Sequence, residues 1–227
     1  MRKIIYLSLV VLLLTSCGET KNFTRGENYP KMYEAKPTSI LIMPPINKTV
    51  NVEAKEYFYT SLAIPLCEKG YYVISPFLSM ETLKSESAYD SEMFINGDLK
   101  KFHEVFGADA ALFTTINRWQ KSTLGNTITV EIEYLLKSTT SNDILFNRKG
   151  TLTVDLSINS GSGGLLGALV DMAASAIATA STDKVVAARS CNTFSLFDLP
   201  DGKYRSTFDT DQATPAGGLE FRATVKK

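Results

Sequence analysis

The sequence has little of what most catalytic and metal chemistry needs. Its 227 residues include 1 histidine and 3 cysteines. Zinc takes three or four His, Cys or carboxylate ligands at close spacing, so no metal site is expected. A general base needs an orienting partner and a nucleophile within reach, and no Gly-x-Ser-x-Gly elbow supplies a serine for the lone His103. His103 therefore reads as a half-exposed residue on a helix. Net charge is absent too, with 24 Lys+Arg against 24 Asp+Glu. A nucleic-acid partner, which calls for a basic surface, is not expected. Only 8 Pro and 14 Gly are present, and 44% of residues are hydrophobic, a globular composition rather than a disordered or collagen-like one.

Two features imitate chemistry and fail on inspection. Gly161-Ser-Gly-Gly164 precedes an expected helix, but Gly167 is followed by Ala168 where a phosphate loop needs Gly-Lys-Ser/Thr. Leu166 stands where the dinucleotide fingerprint needs its third glycine. The segment reads as a hinge. Glu131 and Glu133 lie two apart on one strand and read as a solvated face, because an active-site acid needs a less polar pocket. No cofactor is implied.

A membrane-spanning run is missing as well. The apolar stretch Ile4–Leu14 has 11 residues, short of the ~20 a spanning helix needs. It follows Arg2 and Lys3 and precedes Leu14-Thr15-Ser16-Cys17, which is the layout of a lipoprotein signal peptide over residues 1–16 with Cys17 as the acylated residue. The alternative is an ordinary signal peptide with an unrelated cysteine. Cleavage before Cys17 leaves 211 residues with 22 basic and 24 acidic groups. More than one acyl chain gives stable attachment. Gly18, rather than Asp, at the next position directs the anchor (palmitate among its acyl chains) to the outer membrane. The body is expected in the periplasm, with surface exposure left open. Residues 17–36 are mostly polar and read as a tether. Cys67 and Cys191 form a disulfide, which an oxidising compartment permits, or stay as two buried free thiols.

What remains is a patterned domain over residues 37–210. Ser39–Met43, closed by Pro44-Pro45, reads as a buried strand. Helical spacing follows over 53–69, loosened by Pro65, then a short strand at Tyr71–Ile74 and a helix at 80–88. Another helix opens at Asp98 and ends at Gly107. Residues 108–119, 126–136 and 143–157 read as three long strands, the second with Ile128, Val130, Ile132, Tyr134 and Leu136 inward. A helix is expected over 165–180, with Leu165, Leu169, Met172, Ala173 and Ala176 on one face. That face packs on the sheet or serves assembly with a partner or a second copy. A further helix starts at 181–182, and residues 211–227 read as an irregular tail. The fold class is α/β: one mixed sheet flanked by helices, with an antiparallel meander in its second half.

Three stretches carry a resemblance: Lys36-Pro-Thr-Ser-Ile-Leu-Ile-Met-Pro-Pro-Ile-Asn47, Glu68-Lys-Gly-Tyr-Tyr-Val-Ile-Ser-Pro76 and Phe106-Gly-Ala-Asp-Ala-Ala-Leu-Phe113. With the Cys17 motif they resemble a family of bacterial outer-membrane lipoproteins typified by a genome-derived neisserial antigen, over about residues 28–210. The resemblance implies a fold like the N-terminal domain of TolB, similar to the periplasmic part of CsgG-type secretion pores. It also implies an accessory role beside a CsgG-like lipoprotein or other envelope proteins, and it brings no catalytic residues. The expected function is a non-enzymatic, lipid-anchored scaffold, with homo-oligomerisation open. The rival is a tethered solute-binding module with a pocket between the sheet and the Gly161–Gly164 hinge.

Overall fold

The computed structural model describes residues 23–123, 127–156 and 184–226. One seven-stranded mixed sheet organises them, in the order β3-β1-β4-β5-β6-β7, with β2 also paired to β4. The strands are β1 (Ser39–Ile42), β2 (Ile46–Asn47), β3 (Tyr72–Val73), β4 (Ala110–Lys121), β5 (Thr127–Ser138), β6 (Ile144–Asp155) and β7 (Glu220–Lys226). β1 runs parallel to β3 and β4, β4–β5–β6 form the antiparallel meander, and β7 returns parallel to β6.

β1 is buried throughout, and apolar after Ser39, because it is covered on both faces. Ile40 and Ile42 join one core with Ala110, Leu112 and the inward residues of β5. Leu41 and Met43 point the other way, into a smaller core with Ala111, Phe113, Leu83 and Phe102. β5 alternates as its sequence implies, with Ile128, Val130, Ile132, Tyr134 and Leu136 buried. Its opposite face stays open from Thr127 to Glu133.

Helix α1 (Arg25–Asn28) buries Arg25, and helices α2 (Pro30–Ala35), α3 (Ala54–Ser61), α4 (Ala63–Glu68) and α7 (residues 184–196) contribute to the larger core. Helices α5 (Pro76–Ser85) and α6 (Lys100–Phe106) contribute to the smaller one. The helix expected over 53–69 is two helices parted at Leu62. Pro65 has no amide to give the Ser61 carbonyl one turn back, and the Ser61 hydroxyl donates to the Tyr57 carbonyl at 2.7 Å. Gly107 ends α6 at φ 63°, its amide bonded to the His103 carbonyl, the left-handed cap expected of glycine.

Both chain ends depart from expectation. From Thr24 onward the expected tether is folded, with Arg25, Tyr29 and Met32 buried. The stretch read as an irregular tail holds the buried Asp211 and strand β7. Isolated polar residues hid both segments, because each is stabilised by the other rather than by local periodicity. The Gly125-Asn126 turn, Gly161–Gly164 and the 165–180 helix lie outside the described residues. Among the described residues no helix is long and apolar enough to cross a membrane.

Candidate functional site

The chain enters the domain through a charged clamp. Thr24 opens α1 with a capping box: its Oγ1 accepts from the Glu27 amide, and Glu27 Oε2 accepts from the Thr24 amide at 2.8 Å. That turn leads Arg25 inward, where it is 6% exposed. Arg25 Nη1 donates to Asp211 Oδ2 at 2.7 Å and Nη2 to the Phe197 carbonyl at 3.1 Å. Asp211 also accepts from the Tyr33 hydroxyl at 3.1 Å and from the Asp201 amide at 2.9 Å. Asp201 in turn binds Lys69 Nζ at 3.3 Å and the Thr207 hydroxyl. Beside them, Tyr29 donates to Asp198 at 2.7 Å, and Asp198 holds the Gly217 amide at 3.0 Å.

Glycine makes the closure possible. A Cβ on Gly202 would lie 2.5 Å from the Gly70 carbonyl. The two backbones therefore touch, with the Gly202 amide 2.7 Å from the Lys69 carbonyl.

The electrostatics fit a clamp rather than a catalyst. Burial pushes the Asp201 carboxyl up, but the Thr207 hydroxyl, Lys69 and Arg25 outweigh it and hold it below the usual range. Burial, reinforced by Arg25, pulls the Lys69 ammonium below its usual range. Burial, then the bonds and charges of Asp198 and Asp211, pushes the Tyr29 and Tyr33 phenols up. Paired charges of this kind hold segments together, whereas loss of one partner leaves a buried charge uncompensated.

Outside the clamp the surface is apolar and basic. Phe197 is 69% exposed, with Lys69 Nζ 5.2 Å from its ring centroid. A groove of about 180 Å³ on one side of it is lined by Pro65, Glu68, Lys69, Leu196 and Arg205. A groove of about 450 Å³ on the other is lined by Arg148, Arg189, Phe194 and Val225. Phe23, where the described chain begins, is also exposed. An aromatic body with cationic neighbours suits a boundary between water and an apolar phase.

The residues singled out in the sequence fall elsewhere. Cys17 and the Leu165, Leu169, Met172, Ala173 and Ala176 face lie outside the described residues. The disulfide reading is corrected: Cys67 and Cys191 are both free, the first exposed on α4 and the second buried in α7. Burial pushes the Cys191 thiol up. The expectation of two buried thiols thus holds for Cys191 alone. His103 is exposed, with Nδ1 2.9 Å from the Ala108 carbonyl. Glu131 pairs with Arg118 at 3.2 Å on the open sheet face.

Among the described residues the sheet–helix interior is filled by Phe58, Leu62, Leu66, Val130, Tyr134 and Leu152, all fully buried, while the Gly161–Gly164 side of the pocket in the solute-binding reading lies outside the described residues. Among the described residues no three metal-ligating side chains converge. Sequence reasoning missed Arg25, Lys69, Asp201 and Asp211. Arg25 and Asp211 lie 186 residues apart, and no local spacing announces such a pair.

Fold and site together define an α/β domain in which the segment opening at Thr24 is locked to residues 198–217 beside an apolar face with cationic neighbours. The chain belongs to the GNA1162-like lipoprotein family, whose pattern matches residues 27–201. It is 31% identical over 176 residues to the protein named "Putative lipoprotein NMB1124/NMB1162" of Neisseria meningitidis serogroup B (strain ATCC BAA-335 / MC58), covering 77% of this chain and 80% of that one. The crystal structure of lipoprotein GNA1162 from Neisseria meningitidis is similar at 30% identity and a TM-score of 0.48, covering 63% of this chain and 99% of that one. A PelC dodecamer from Paraburkholderia phytofirmans is similar at 14% identity and a TM-score of 0.43, covering 74% of this chain and 91% of that one. The family and the neisserial relatives are named lipoproteins, not enzymes.

Proposed function

We propose that this chain is a lipid-anchored, non-enzymatic scaffold or accessory subunit of an envelope assembly or export complex. It is held at the outer membrane by acylated Cys17, with its body in the periplasm. The observation that carries the reading is the buried Arg25–Asp211 clamp at 2.7 Å. It fixes the chain immediately after Phe23, so six residues link Cys17 to the folded domain. Six residues span at most about 20 Å. An anchored domain on so short a lead lies against the bilayer, and the exposed Phe197 with Arg189 and Arg205 suits that position.

The family's lipoprotein character supports the anchor. The rigid sheet and the clamped ends support a docking role, for which a CsgG-like lipoprotein is the partner this reading favours. On sequence grounds the Leu165–Ala176 face serves assembly, and the TolB-like resemblance belongs to the same reading.

Labelling cells with radioactive palmitate is the test. Label is expected on the wild-type chain in the outer-membrane fraction and absent from Cys17→Ala, which should leave that fraction. Label persisting unchanged in Cys17→Ala would overturn the anchor. Affinity purification of the lipidated chain from envelopes should recover an outer-membrane partner, and recovery of none would overturn the docking role.

A further inference from the structure

β7 ends the sheet on one side, and among the described residues its outer edge is unpaired. Among the described residues β6 is the one strand paired with it. The strand is Glu220-Phe-Arg-Ala-Thr-Val-Lys226, exposed and half-buried by turns. It also lies beyond residues 27–201, where the family pattern ends. An open edge of seven residues is a template for another strand.

The direction of the backbone decides which groups are free. The Lys149 amide donates to the Leu219 carbonyl at 2.9 Å. Backbone polar groups alternate sides along a strand, so residues 219, 221, 223 and 225 bond toward β6. Those of Glu220, Arg222, Thr224 and Lys226 turn outward. The side chains are sorted as well. Phe221, Ala223 and Val225 pack toward the helical layer, and Phe194 meets Phe221 edge-on at 5.2 Å. Glu220, Arg222, Thr224 and Lys226 are exposed.

We infer that β7 pairs antiparallel with β7 of a second copy of this chain, about a two-fold axis at Ala223. This register sets Glu220 opposite Lys226 of the partner twice, Phe221 opposite Val225 twice, and Arg222 opposite Thr224 twice. Glu220, which pairs with Lys149 of its own chain at 3.1 Å, gains a second opposite charge at each end, and apolar residues meet on the helical face. The outward-turned Arg222 and Thr224 become a hydrogen-bonded pair, and the two Ala223 residues a close non-bonded pair. A shift of register by one residue would place the helical layer of one copy beside the open face of the other. The Ala223 axis instead joins helical layer to helical layer. Both copies' N-terminal helices then lie on the same side of the joined sheet. Such an interface is isologous and closed.

The test uses the full chain in its own envelope with Cys67→Ser as background. Ala223→Cys is expected to give a disulfide-linked dimer under mild oxidation, since close pairs of this kind fall within disulfide reach. Phe221→Cys, displaced from the axis, should not. Adding Thr224→Pro to Ala223→Cys should abolish the dimer while leaving Tm nearly unchanged, because the Thr224 amide is not used by β6. Should the proline variant fail to fold, Lys226→Glu should lower the dimer yield, and adding Glu220→Lys together with Lys149→Glu, which keeps the pair within the chain, should restore it. No dimer from Ala223→Cys, equal dimer from Phe221→Cys, or a disulfide to a protein of different mass would each overturn the pairing. The last would show that another protein's strand takes the edge.

Discussion

Raising the pH should unfold the domain through its buried tyrosines, three of them nearly inaccessible. Tyr29, Tyr71 and Tyr134 are 2%, 4% and 0% exposed. Their hydroxyls donate to Asp198 at 2.7 Å, the Pro200 carbonyl at 2.7 Å and Asn192 Oδ1 at 2.6 Å. Burial pushes all three phenols up, with Asp198 adding to the effect at Tyr29 and Asp211 and Asp201 adding to it at Tyr71. The fold thus prefers the neutral phenol. That contribution is complete below the unfolded value near pH 10 and is lost as pH rises toward the folded ones. Each tyrosine removes about 1.4 kcal/mol per pH unit in that window, and three together about 4 kcal/mol. Against a net stability of about 5–15 kcal/mol, cooperative unfolding is expected between about pH 11 and pH 13. Far-UV circular dichroism and tyrosinate absorbance, followed together, should show the last tyrosinate signal rising as the ellipticity falls. Tyr134→Phe should cost about 1 kcal/mol at neutral pH and flatten the alkaline slope by about 1.4 kcal/mol per pH unit. Complete tyrosinate absorbance with unchanged ellipticity would refute the argument.

Three further outcomes are expected. Arg25→Met leaves Asp211 buried beside Asp201 and should cost about 3–5 kcal/mol in urea unfolding; a loss under about 1 kcal/mol would remove the clamp from the account. The Asp201 carboxyl is held low, so its contribution is present above about pH 4 and lost as pH falls through the folded value. Thermal unfolding should show Tm dropping below that point, and Asp201→Asn should flatten the drop. Gly150→Ala would set a Cβ 2.1 Å from the Phe221 carbonyl and should cost about 1–3 kcal/mol. Amide exchange should then quicken across 220–226 more than across β4.

Strands with strong patterns were legible one by one. The alternation in β5 named its buried residues correctly, because one face meets helices and the other water. The apolar run of β1 read as a buried strand because both of its faces are covered. Gly107 and Pro65 marked a helix end and a helix break for reasons of backbone geometry alone. The N-terminal helices were illegible because Arg25 reads as a surface residue until Asp211 is beside it. β7, with Glu220, Arg222, Thr224 and Lys226 facing water, shows too little apolar contrast to stand out from a polar tail. Cys67 and Cys191 posed a question of distance, and spacing in the chain carries no distance.

By itself the sequence determined the α/β class, the meander, the proline-stopped first strand and the poverty of catalytic side chains. These follow from local periodicity and composition, which act over a few residues. Only the tertiary structure decided that residues 24–35 and 211–226 belong to the fold. The Arg25–Asp211 pair, the Gly70–Gly202 contact and the β6–β7 ladder join segments far apart in the chain. Their energy exists only when those segments meet, so no window of sequence contains it.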